Sequence, residues 1–114
     1  MSRILINDGN DTELIAELII ATALRDRMRG LLGRNALAEN TGLLLLPCRS
    51  IHMWFMRFPI DAAFLDEDLN VLRVSRGLRP WQIALAPRRT HSVLETTAGV
   101  LAPLQKGDHL VVTS

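Results

Sequence analysis

Apolar residues in this chain come in short runs, each closed by turn-forming residues. That punctuation constrains the fold more than any other feature, because runs this short suit strands and leave little room for long helices. Arg3 to Ile6 is one such run, closed by "NDGN". Glu13 to Ala21 is rich in Leu and Ile and only partly alternating, which reads as a buried strand; its alanines and glutamates make a helix the competing reading. Gly42 to Leu46 is a buried strand ended by Pro47. His52 to Phe58 and Ile60 to Leu65 are two more, separated by Pro59. "DEDLN" is a tight turn, so Ile60–Leu65 should form a hairpin with Val71 to Ser75. Ser92 to Thr96 and His109 to Thr113 complete the set, the last preceded by a "KGD" turn.

Two segments read otherwise. Thr22 can cap a helix, and Leu24, Met28, Leu31 and Leu32 then fall on one helical face with Gly33 as its stop. Thr97 to Leu104 has room for a second short helix, limited by Pro103. "RGLRPWQIALAPRRT" reads as an extended surface loop. The expected fold is mainly β: a small antiparallel β-sandwich or barrel with a short helix in the N-terminal half.

The 114 residues suit a single domain, 1–114, large enough to bury a core without disulfides or metals. Thirteen basic and twelve acidic side chains leave a net charge of +1, which argues against a general polyanion binder. One cysteine excludes an internal disulfide. The first residues lack the pattern of a signal peptide, and the longest apolar run, Gly42 to Pro47, is far too short to span a bilayer. The expectation is a soluble cytoplasmic protein with no membrane or nucleic-acid partner and no cofactor.

The run "CRSIHMWFMRFPIDAAFLD", then "VLRV", then "VLE" with Gly99, then "GD" near the end, resembles domain-of-unknown-function family 192. "RDRMRGLLGR" is similar to that family's helix segment. The resemblance runs in order from Ala21 to Val112. It implies a small mainly β domain with a short helix near the N-terminus, and no agreed activity. Two positions depart from the pattern. Leu69 stands where the family hairpin usually carries Gly, so the turn is expected to change or to shift its positive φ to Asn70. Thr96 and Thr97 replace an apolar residue and Pro, which unsettles the start of the second helix.

Chemistry-bearing residues concentrate around Trp54. Period-2 spacing puts His52, Trp54, Met56 and Phe58 on one face of their strand. Cys48 could serve as a nucleophile with His52 as base and Asp61 or Glu95 as orienting carboxylate. Residues four apart on a straight strand are about 13 Å apart, so this needs a bend at Arg49 or Ser50. Cys48, His52, Met56 and His91 are also the types a soft metal would choose, but no CxxC or HxxxH pair supports a site, and no metal is expected. Asp61 and Glu95 sit inside apolar strands, so each should be buried with a partner; Arg29 and Arg57 are candidates. Arg76, Arg79, Arg88 and Arg89 flank Trp81 and form a candidate surface for an anionic or planar ligand.

Three functions follow as expectations. The first is a ligand- or peptide-binding β domain with a pocket near Cys48, His52, Met56, Asp61 and Glu95. The second is a small hydrolase or transferase using Cys48 and His52 with Asp61 or Glu95. The third is binding of a protein partner through the arginine-rich Trp81 loop.

Overall fold

The computed structural model describes residues 2–7, 11–21, 41–46, 50–52, 59–79 and 83–113. Within them run nine strands: β1 (Ser2–Ile6), β2 (Thr12–Ala21), β3 (Thr41–Leu45), β4 (Ser50–His52), β5 (Ile60–Leu65), β6 (Val71–Leu78), β7 (Ile83–Leu85), β8 (Ser92–Thr97) and β9 (Leu110–Thr113). Seven form one curled sheet in the order β6-β5-β8-β3-β2-β1-β9, and β4 pairs with β7 in a separate two-stranded ribbon. The fold is mainly β, as expected. The sheet is mixed, however, because β2 and β3 run parallel, Glu17 opposite Thr41 through Ala21 opposite Leu45. A parallel pair needs a long crossover, and residues 22–40 supply the length. The helix expected from Thr22 to Gly33 lies in that connection, outside the described residues.

The curl nearly closes the sheet on itself. Asn70, just before β6, bridges His109, just before β9. Around that bridge the Val71 amide donates to the Asp108 carbonyl, Gly107 to Val71, and Leu110 to Leu69. The two edge strands of the half-barrel thus meet at one end. Irregularities help to bend the sheet. Between Ser2 and Ile4 the register against β2 slips by one residue, which puts Ile15 and Leu18 on the same face.

Alternation along the strands gives two cores. The inner, concave side holds Ile4, Ile15, Leu44, Leu65, Leu94 and Leu110, among others. The outer side holds Leu43, Leu45, Ile60, Ala62, Phe64 and Val93, covered by the ribbon through Ala84. Central strands β3, β5 and β8 are buried on both faces, which explains their near-continuous apolar sequences. Gly42 sits where a Cβ would come within 3.1 Å of both Ile15 and Leu94.

Several boundaries differ from the sequence reading. β6 continues to Leu78, carrying Arg76 out of the expected surface loop and into a strand. β7 occupies the middle of that same loop. Thr97 to Leu104 is a run of tight turns, closed by amides of Val100, Ala102 and Leu104 donating three residues back. The expected helix 97–104 is therefore absent.

The β5–β6 hairpin also corrects an expectation. Leu69 itself takes the positive φ, 66°, and does not pass it to Asn70. The turn is pinned around it. The Asp66 carboxylate accepts from the amides of Asp68 and Asn70 at 2.9 Å and from the Asn70 side chain at 3.2 Å. Leu69 donates its own amide to the Asp66 carbonyl, and its side chain packs against the inner core. A left-handed leucine costs about 1–2 kcal/mol, which these contacts offset.

Candidate functional site

The two buried carboxylates define the geometry. Asp61 lies opposite Thr96, and Ala62 lies opposite Glu95, on the same pair of strands. Opposed residues share a face and successive residues alternate, so Asp61 and Glu95 belong to opposite faces of the sheet. Asp61 is on the inner side with Ala63 and Leu65; Glu95 is on the outer side with Ala62, Leu43 and Val93. The structure does not bring the two acids into one pocket.

Asp61 is 1% exposed, and its partners are backbone amides. Its Oδ1 accepts from Gly77 at 2.9 Å. Its Oδ2 accepts from Gly99 at 2.8 Å and Leu101 at 3.2 Å. The expectation that this carboxylate would be buried and partnered is met by main chain from two separate segments. Gly77 sits at a bulge, where β5 advances two residues, Ile60 to Ala62, against three on β6, Leu78 to Ser75. Gly77 and Gly99 adopt φ of 63° and 100°, a region other residues enter at a cost. Arg76 works from the other side: its Nη2 donates to the carbonyls of Leu104 and Leu101. Asp61 thus takes amides, and Arg76 takes carbonyls, of the same run of turns. Gly99 stands at a φ of 100° in the middle of this run, and Leu101 gives its amide to Asp61 instead of back to Thr97, so no helix forms there.

Glu95 is 4% exposed, directly opposite Ala62 on one side and Leu43 on the other. Above this face lies the ribbon. Ala84, opposite Ile51, is buried in the outer core. The alternate pairs are Ser50 with Leu85 and His52 with Ile83. Leu85 is 69% exposed, whereas its neighbour Ala84 is buried. The side chain of His52, and with it the Cys48–His52 pair, lies outside what the structure describes. Cys48, Met56 and Trp81 lie outside the described residues, as do Arg29 and Arg57. Among the described residues no cluster of His, Cys, Asp and Glu suits a metal ion.

The arginines of the candidate loop are dispersed. Arg76 is committed to the turn run. Arg79 follows β6 and is exposed. Arg88 and Arg89 occupy an exposed turn that the Thr90 amide and hydroxyl close onto the Pro87 carbonyl. Arg73, which the sequence reading passed over, reaches from the outer face of β6 to the Leu85 carbonyl at 3.1 Å and ties ribbon to sheet. Also unforeseen is His109 at the seam. Its Nε2–H donates to the Asp68 carbonyl at 2.9 Å, and Nδ1 accepts from the Asn7 side-chain amide at 3.3 Å. Single residues scattered this far along the chain carry no spacing signal that could have linked them.

Asp66 has its acidity altered by this seam. Burial raises its carboxyl pKa, but hydrogen bonds from Asn70 and Asp68 and the nearby His109 outweigh that, leaving it below the ordinary value.

This geometry can be set beside known proteins. The model of the family DUF192, described as "Uncharacterized ACR", matches residues 5–112. The chain belongs to the DUF192 family. Among curated relatives, this DUF192 domain is 29% identical over 99 residues to the UPF0127 protein PH1112 of Pyrococcus horikoshii, covering 84% of the chain and 85% of the relative. It is 31% identical over 105 residues to a UPF0127 protein of Thermococcus sibiricus, covering 85% of the chain and 65% of that longer protein. Two crystal structures share the DUF192 fold. One is a protein of unknown function from Novosphingobium aromaticivorans, with TM-score 0.82, 20% identity, and 96% of this chain and 83% of that one covered. The other, from Sinorhizobium meliloti, is described as a "putative transcription regulator", with TM-score 0.77, 22% identity, and 97% and 92% covered. At these identities the likeness is one of fold.

Proposed function

We propose that this domain is a binding module whose ligand site is the outer face of the sheet, beneath the β4–β7 ribbon, with Glu95 as its polar anchor. One observation carries the reading. Glu95, 4% exposed, stands in a wall of Leu43, Ala62 and Val93 that is covered, among the described residues, by the short β4–β7 ribbon. An apolar wall with one placed carboxylate suits a small molecule or peptide side chain with an apolar body and a hydrogen-bond-donating head. Duplex nucleic acid is not the ligand in this reading, in keeping with the net charge of +1.

A fragment screen by NMR on the full chain tests it. Amine- or guanidine-bearing apolar fragments should shift resonances of Leu43, Ala62 and Val93, and Glu95→Gln should abolish those shifts while the fold persists. Fragment binding that survives Glu95→Gln would refute the site.

A further inference from the structure

Charge is unevenly distributed along this chain. From Leu69 to Leu94 there are five arginines and no aspartate or glutamate; the rest of the chain holds eight basic side chains against twelve acidic ones. The fold displays part of this basic stretch on the outside of the ribbon. Arg73 binds the Leu85 carbonyl, so its guanidinium lies beside β7. Arg88 and Arg89 follow three and four residues after Leu85, within roughly 10–14 Å of it along the chain. Both are exposed and make no hydrogen bond or ion pair with the described residues. Arg89 holds a φ of 71°, a conformation glycine would adopt more easily. Between these arginines Leu85 is 69% exposed, the most exposed large apolar side chain among the described residues.

From this arrangement we infer that the outer surface formed by Arg73, Leu85, Arg88 and Arg89 docks an acidic segment of a protein partner that carries one apolar anchor residue. Charge complementarity selects the acidic partner. Leu85 selects a protein over a nucleic acid, because phosphate backbones are held by cations and polar donors and gain nothing from an exposed leucine. Arg73 also presents a guanidinium already oriented by its bond to the ribbon, which lowers the cost of ordering it on binding. The inference is independent of the site at Glu95, which lies on the other side of the ribbon.

The test uses the full chain and fluorescein-labelled heptapeptides of glutamate with a central leucine or a central serine, followed by anisotropy at low salt. The leucine peptide should bind more tightly than the serine peptide. Reversing both charges, Arg88→Glu with Arg89→Glu, should weaken both peptides roughly tenfold or more. Leu85→Ser should weaken the leucine peptide several-fold and leave the serine peptide unchanged, a coupling that a double-mutant cycle reads directly. All three positions are exposed, and thermal melts confirm that the variants fold. Three results each overturn the inference: no binding of either peptide, equal sensitivity of both peptides to Leu85→Ser, or a single-stranded oligonucleotide of matched charge binding more tightly than the leucine peptide.

Discussion

Among the described residues, the inner and outer faces of the curled sheet each bury one carboxylate, and they treat it differently. On the inner face Asp61 receives amides from a bulge in β6 and from the turns after β8, so one side chain joins three parts of the chain. On the outer face Glu95 is set opposite Leu43 and Ala62 beneath a ribbon of three-residue strands. The same residue chemistry is a structural tie in one place and a candidate binding group in the other. What distinguishes Asp61 is the main chain nearby: the β6 bulge and the turns after β8 offer amides that strand pairing has not used.

The sharpest way to break this comparison is to neutralise both acids. Asp61→Asn should lower stability by about 1–3 kcal/mol, because an amide donor replaces an acceptor among three backbone N–H groups. Asp61→Ala should cost about 3 kcal/mol or more, since those N–H groups are left buried without acceptors. Glu95→Gln should cost less than Asp61→Asn, because glutamine keeps the shape and an acceptor oxygen of Glu95, whereas Asp61 must accept from three amides at once. Urea denaturation of the three variants measures this. An Asp61→Asn variant as stable as the parent, or a Glu95→Gln variant as damaged as Asp61→Asn, would erase the distinction between the faces.

A second test probes how tightly the inner face is filled. Gly42→Ala places a methyl group 3.1 Å from Ile15 and Leu94, both fully buried. Overpacking of this kind should cost about 1–3 kcal/mol. A melting temperature unchanged by Gly42→Ala would mean that the inner core yields more readily than its burial implies.

The seam that closes the inner face should respond to acid. The Asp66 carboxyl is held below its ordinary value of 3.8, so its contribution to stability is complete above that value and disappears as pH falls through the folded-state pKa. The penalty of Asp66→Asn should therefore be present at pH 7 and shrink once pH drops below about 3.8. Denaturation of parent and variant across that range measures it; a penalty that grows toward acid would reverse the assigned sign.

The smallest effect is expected at Leu69. Leu69→Gly removes left-handed strain worth about 1–2 kcal/mol but also an apolar contact with the inner core and some rigidity of the unfolded chain. The net change should lie within about 1 kcal/mol. A large loss on Leu69→Gly, read in the same urea series, would show that its side chain matters to closure more than its backbone.

Much of the strand content was legible in the sequence. Seven short apolar runs and their turn residues located β1, β2, β3, β5, β6, β8 and β9 to within a few residues, because strand period and turn chemistry are local properties. The burial of Asp61 and Glu95 was legible too, from apolar neighbours on both sides. The end of β6 was not. "RGLRP" has the composition of a loop, and only the bulge at Gly77, held by Asp61 from sixteen residues upstream, lets the strand continue past it.

What the sequence determined by itself is therefore the family, the mainly β class and the positions of most strands. Tertiary structure alone decided that β2 and β3 run parallel, since strand direction depends on where a long connection returns. It alone separated Asp61 from Glu95, because a face is assigned by register, and bulges shift register by single residues. It also decided that Thr97 to Leu104 is not a helix. Local propensity there permits one turn or the other; Gly99 takes a φ of 100° and Leu101 gives its amide to Asp61, a contact that exists only once distant strands have come together.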